Sequence, residues 1–122
     1  MVVKKCMKCG AMVRVVHDCN CNDCGIKCCG ESMKELIPNS EDASFEKHVP
    51  EYEIKDDKLY IRVNHVMEDE HYIEWISVVA SNKEVITYLK PGDEAVIHCG
   101  YIPGSVIYAY CNKHGLWKKE VE

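Results

Sequence analysis

No apolar stretch in this 122-residue chain approaches the roughly 20 residues needed to span a bilayer, which excludes a helical membrane protein. The N-terminus, Met1-Val2-Val3-Lys4-Lys5-Cys6, has no apolar signal-peptide core behind its lysines. Positive charge is also short: 15 lysines and arginines against 20 acidic residues leave a net charge of −5. A general nucleic-acid binder needs a basic face for its phosphate contacts, so that class falls away. Internal repeats and low-complexity tracts are missing, and no stretch carries a convincing helical period. These absences leave a soluble chain built from something other than helices.

What the chain has in excess is ligand side chains. Nine cysteines and six histidines stand among the 122 residues. An odd cysteine count with no leader fits a reducing cytoplasm, where thiols serve metals or redox chemistry rather than staples. A secreted disulfide-stapled domain would also leave the histidines unexplained. The leading class is therefore a soluble cytoplasmic metalloprotein.

The excess is uneven. Seven of the nine cysteines lie within residues 6–29. Residues 1–36 are too short to build a core unaided, since chains below about 40 residues usually need a metal or disulfides. Residues 37–45 read as a polar, Pro-containing linker. The remainder, 46–122, reads as strands. Leu59, Ile61 and Val63 alternate with Tyr60, Arg62 and Asn64, the period of a half-buried strand. Strands are also expected over 72–80, 84–89, 95–99 and 106–111, with turns at Pro91-Gly92-Asp93 and Ile102-Pro103-Gly104-Ser105. Short strands at this spacing predict an all-β sandwich or barrel.

Two constellations carry chemistry. Cys6-x-x-Cys9-Gly10 is a metal knuckle, in which two thiolates bind one ion from a single tight turn. Its partner is either Cys28-Cys29-Gly30 or Cys21-x-x-Cys24-Gly25; either completes a four-sulfur site for iron or zinc. Cys19 and the unused pair are left as spare thiols, and His17 reads as a surface histidine near the site. In the β region, His48, His65, His71, Cys111 and His114 stand where strands begin or end. If residues 65–71 form a hairpin, their two imidazoles share one end of a sheet. Imidazole suits iron, zinc or copper, and a thiolate pushes electron density onto the metal. Four neutral imidazoles and one thiolate on a divalent ion leave a charge of +1 and a free sixth octahedral position, a site suited to a small anion. Cys99 reads as a core residue, His98 as a surface one and Trp75 as core packing.

Taken together and in order, several motifs resemble desulfoferrodoxin, the two-domain superoxide reductase family. They are Cys6-x-x-Cys9-Gly10 with Cys28-Cys29-Gly30-Glu31 and Met33, Glu46-Lys47-His48-Val49-Pro50, and His65 through His71 to Trp75. Lys90-Pro91-Gly92-Asp93 and Tyr110-Cys111-Asn112-x-His114-Gly115-x-Trp117-Lys118 complete the set. The resemblance implies a mainly β chain: a small desulforedoxin- or rubredoxin-like domain followed by an immunoglobulin-like β-sandwich. It implies that His48, His65, His71 and His114 hold a mononuclear iron equatorially, with Cys111 axial. Glu46 would take the sixth position in the oxidised state, and Lys47 would attract superoxide. Cys6, Cys9, Cys28 and Cys29 would hold a second iron, or zinc. The implied activity is one-electron reduction of superoxide to hydrogen peroxide, with re-reduction by a rubredoxin-like electron donor, in a cytoplasmic homodimer. The rival readings are a non-catalytic metal-binding or electron-transfer module and a superoxide dismutase.

Overall fold

A computed structural model describes residues 1–21 and 25–122. The chain divides into two compact units, Met1–Ile37 and Pro38–Glu122. Among the described residues, no helix is long and apolar enough to cross a membrane.

The first unit is a set of very short strands. β1 (Val2–Lys5) pairs antiparallel with β2 (Met12–Val15), and a two-residue strand pairs with its other edge. In chain order β3 (Lys27–Cys28) and β4 (Glu31–Ser32) form a minimal hairpin, and β5 (Lys34–Glu35) is the strand that joins β1. Only Val3, Cys6 and Met33 are buried among the described residues here. Both hairpin turns use left-handed backbone, at Gly10 (φ 81°) and at Cys29-Gly30 (φ 54° and 78°). Glycine adopts that region without a Cβ clash, so each turn reverses tightly enough to bring neighbouring sulfurs together.

The second unit begins with one helical turn, α1 (Phe45–His48), too short to show any period in the sequence. Three strands, β6 (Glu51–Lys55), β7 (Lys58–Arg62) and β10 (Val96–Gly100), form a sheet in the order β10-β7-β6. The strands between and after them, β8 (Ile73–Val79), β9 (Glu84–Tyr88), β11 (Val106–Cys111) and β12 (Gly115–Glu120), form a second in the order β12-β11-β8-β9. All pairings are antiparallel. One apolar cluster draws on both sheets: Leu59, Ile61 and Val63 from one side, Ile73, Ile76, Val78, Ile107, Ala109 and Cys111 from the other. The architecture is mainly β, with a sandwich as its larger unit.

The alternation in β7 is as expected: Leu59 and Ile61 are buried while Lys58, Tyr60 and Arg62 are exposed. Burying each such side chain is worth about 1.5–3 kcal/mol, which fixes the register of the strand. Two features differ from the expectation. Residues 65–71 are not a hairpin within one sheet; they carry the chain from β7 in one sheet to β8 in the other, so the short-range spacing of the two histidines hid a crossover. The stretch expected as a linker is tied to the sandwich. The Asn39 N–H donates to Leu116 O at 2.9 Å, and Asn39 Oδ1 accepts from the Lys118 N–H at 2.9 Å.

A bulge in β8 decides which of its side chains share a face with Cys111. Along β11, Ile107, Ala109 and Cys111 keep one phase, opposite Val78, Ile76 and then Ile73, so Glu74 is skipped. The extra residue shifts the parity of the chain. Ile73, just before the bulge, thereby faces the same side as Cys111.

Candidate metal centres

The β11–β12 connection is a three-residue turn, Asn112-Lys113-His114, closed by the pair Cys111 and Gly115. Gly115 has φ 79°, left-handed backbone that glycine adopts without a Cβ clash. The Cys-x-x-His spacing is therefore two corners of one turn. The His114 N–H donates to Cys111 Sγ at 3.3 Å, which pins the sulfur from its own loop.

Each remaining imidazole is oriented by its surroundings. His48, buried at the end of α1, donates from Nδ1 to Ser44 O at 2.7 Å and lies 3.1 Å from His114 Nδ1 through its Nε2. His65 donates from Nδ1 to Val66 O, which leaves its Nε2 at 3.3 Å from Cys111 Sγ. His71 presents a buried Nε2 that has no hydrogen-bond partner. A hydrogen bond on one ring nitrogen sets the tautomer and frees the other nitrogen for a metal.

The four rings form a closed circuit. Centroids of His48–His65, His65–His71, His71–His114 and His114–His48 are 4.8, 4.5, 5.0 and 4.9 Å apart, with interplanar angles of 69–88°. Cys111 Sγ adds a fifth donor, and all five donor atoms lie within 4.8 Å of one another. Metal–nitrogen bonds of about 2.0–2.1 Å place opposed nitrogens about 4 Å apart. The circuit therefore fits a single ion, and the partnerless His71 Nε2 is the atom such an ion would satisfy.

Burial pushes the imidazoles of His48 and His71 below their usual range and brings His65 down to about 4; it pushes the Cys111 thiol up. The imidazoles of His48, His65 and His71 are thus neutral and ready as ligands, whereas Cys111 releases a proton when an ion binds. The same shifts set a pH dependence for the metal-free protein. Between about pH 6.5 and 4, unfolded His65 binds a proton that the folded state refuses, so stability rises with pH across that window. We expect the sandwich to lose stability as pH falls from about 6.5 toward 4, and to lose no more from His65 below that. Both tryptophans, Trp75 and Trp117, lie in this unit, so denaturant melts followed by tryptophan fluorescence check it. A flat profile would count against the buried neutral imidazoles.

Trp117, in sequence only the aromatic position of the last motif, braces two of these histidines. It is fully buried, stacks on His48 (4.9 Å, 25°), and donates from Nε1 to His114 O at 2.9 Å. Glu46 and Lys47 occupy the same helical turn as His48 and are exposed. The five-donor cluster does not include Glu46; its side chain lines a surface cleft with Phe45, Val49, Pro50, Tyr52 and Lys119. Cys99 packs partly against the core and His98 is exposed. Trp75 is half-buried and stacks on Tyr110 at 5.7 Å.

In the first unit, Cys6, Cys9, Cys28 and Cys29 form a second cluster. Cys9 Sγ is 3.6 Å from Cys28 Sγ, and Cys28 Sγ is 3.9 Å from Cys29 Sγ. N–H groups of Cys9 and Ala11 donate to Cys6 Sγ and Cys9 Sγ, each at 3.5 Å. The backbone N–H groups of Cys9 and Lys8 pull the Cys6 thiol down to about 6. Crowding by the sulfurs of Cys9, Cys6 and Cys29 pushes Cys28 up to about 12. Four thiolates this close need a cation to coexist, which is the chemistry of a tetrahedral sulfur site. Of the alternative pair, Cys21 stands outside the cluster, and Cys24 lies outside the described residues.

Comparison with known proteins respects the same division. The family model described as desulfoferrodoxin matches residues 40–120. A desulfoferrodoxin homolog of Archaeoglobus fulgidus is 42% identical over 97% of this chain and 95% of its own length. The desulfoferrodoxin of Nitratidesulfovibrio vulgaris is 38% identical over 97% and 94%. Among solved structures, the superoxide reductase of Treponema pallidum superposes with a TM-score of 0.71 at 19% identity, over 96% of this chain and 98% of that one, a likeness of fold. The Giardia intestinalis superoxide reductase aligns with a TM-score of 0.57 at 29% identity, covering 63% of this chain and 98% of its own. Matched along both units in sequence, and through its sandwich by the family model, the chain belongs to the desulfoferrodoxin family.

Proposed function

We propose that this protein is a superoxide reductase, which takes superoxide, one electron and two protons to hydrogen peroxide. The observation that carries the reading is the closed circuit of four imidazoles with Cys111 Sγ beside it. His48, His65, His71, His114 and Cys111 would hold one iron. When bound, that iron supplies the electron by cycling between its ferrous and ferric states. Superoxide reductase relatives of the same fold support this choice over a passive metal clip.

The chain's own groups do the rest. Lys47, exposed next to His48, adds positive potential where a small anion must arrive. Glu46, one residue further back on α1 and lining a surface cleft, would offer its carboxylate to that iron in the resting protein. Ser44 O and Val66 O keep the free ring nitrogens of His48 and His65 aimed inward, and Trp117 braces His48 by stacking and the His114 backbone by a hydrogen bond. Cys6, Cys9, Cys28 and Cys29 would hold a second iron or a zinc. A rubredoxin-like donor, a homodimeric assembly and a cytoplasmic location complete the reading.

Anaerobic purification, metal analysis and rapid mixing with superoxide test it, with peroxide and dioxygen measured together. Peroxide in proportion to reductant, with no dioxygen, is the expected result. Dioxygen release would mean a dismutase, and no reaction a binding module. Lys47→Ala is expected to slow the encounter by roughly 3- to 10-fold and to flatten its dependence on ionic strength. An unchanged rate and salt slope in stopped-flow mixing would remove Lys47 from the role.

A further inference from the structure

His71 differs from the other donors in how it is held. His48 sits on a helical turn stacked against Trp117, and His114 sits in a closed hairpin turn. His71 lies on the crossover between the two sheets. Its backbone bonds run to Glu68 within the same segment. Its Nε2 has no partner to orient the ring.

Asn112 grips the backbone on both sides of that histidine. Its Oδ1 accepts from the Tyr72 N–H at 3.0 Å, and its Nδ2 donates to Glu70 O at 2.9 Å. Its own N–H donates to Tyr72 O at 3.2 Å. The side-chain bonds need a donor and an acceptor on one short planar group. Asparagine has both; aspartate keeps only the acceptor, and alanine neither.

We propose that Asn112 is a positioning residue for the histidine centre, clamping Glu70 and Tyr72 so that His71 Nε2 points into the donor circuit. The inference rests on reading that circuit as a metal site. One tight turn then governs three of the five donors: Cys111 and His114 directly, and His71 through the residue between them. The segment ends at β8, whose bulge at Glu74 faces β11, and Asn112 fixes the segment's distance from the turn.

The test uses the full chain and three variants, Asn112→Ala, Asn112→Asp and, as a structural control at the remote Tyr60–His98 pair, His98→Ala. In the metal-free protein, NMR cross-peaks between the His71 ring and the rings of His65 and His114 are expected to weaken in Asn112→Ala. The Tyr72 amide is expected to exchange faster. Titration with Fe(II) or Co(II) against a competing chelator is expected to show a loss of about 10- to 100-fold in affinity at this centre. Asn112→Asp, which keeps the Tyr72 bond, is expected to lose less, and His98→Ala nothing. A thermal shift in Asn112→Ala with ring cross-peaks and metal affinity intact would mark a purely structural residue and overturn the proposal. The readouts need no superoxide. Wild-type protein that binds the ion but forms no peroxide would end the reductase reading while leaving the Asn112 result standing.

Discussion

Cys111→Ser is expected to abolish high-affinity iron binding at the histidine centre and to lower superoxide reduction by more than about 100-fold, beyond the usual loss for an outer-sphere change. The side chain is fully buried and lies in the apolar cluster. Its sulfur is 3.3 Å from His65 Nε2 and 3.8 Å from His114 Nδ1. A serine oxygen is smaller, harder and reluctant to ionise, so it neither reaches as far nor donates as much charge. The His114 N–H that now meets Cys111 Sγ can still bond to a hydroxyl, so the turn survives. Burying the hydroxyl costs about 1–3 kcal/mol, which leaves a folded sandwich in which to measure the defect. Two measurements separate the outcomes. Metal analysis after anaerobic loading reads the site, and the visible spectrum of the oxidised, iron-loaded protein reads the sulfur donor. A variant with full iron, an unaltered spectrum and undiminished peroxide formation would show that the thiolate is not part of the centre.

The centre was legible in the sequence to the extent that its donors sit at ends of patterned strands. Leu59, Ile61 and Val63 announce β7 by alternation, and His65 continues their phase. Cys111 and His114 are legible because a three-residue turn closed by glycine has few alternatives. Two strands left no comparable mark. Four of the five residues of β6 are exposed, and β12 ends in Lys118-Lys119-Glu120, so neither carries the clean alternation that marks a strand with one face in the core. The parity change at Glu74 was also hidden, because a bulge exists only relative to the partner strand. The roles of Asn112 and Trp117 depend on bonds to residues about 40 positions away or on ring stacking across elements. Spacing along the chain records neither. Sequence patterns expose what a residue is and which face it takes; they do not expose what holds it there.

Removing the ion proposed for the four-cysteine cluster is expected to unfold the first unit while the sandwich stays folded. Unit one has 37 residues, Met1–Ile37, and among those described it buries only Val3, Cys6 and Met33. One of those three is itself a ligand candidate. Strands β3, β4 and β5 are two residues each, so few ladder bonds reinforce one another. An apolar core of this size does not support a fold alone. A bound ion in a four-thiolate site contributes about 10–16 kcal/mol near neutral pH, which exceeds the whole stability of a typical domain. Without it, the sulfurs that now stand 3.6–3.9 Å apart have no reason to converge. The paired variant Cys9→Ser with Cys28→Ser isolates the effect, because it spares every residue of the histidine centre. Hydrogen exchange read by residue is the measurement. Amides of β1 and β2, and the Leu36 N–H that bonds Val3 O, should lose nearly all protection. Those of β7, β8 and β11 should keep theirs, and iron at the histidine centre should remain. Protection that persists in β1 and β2 of the metal-free variant would show that the first unit folds by its strands alone and that its cysteines serve another purpose.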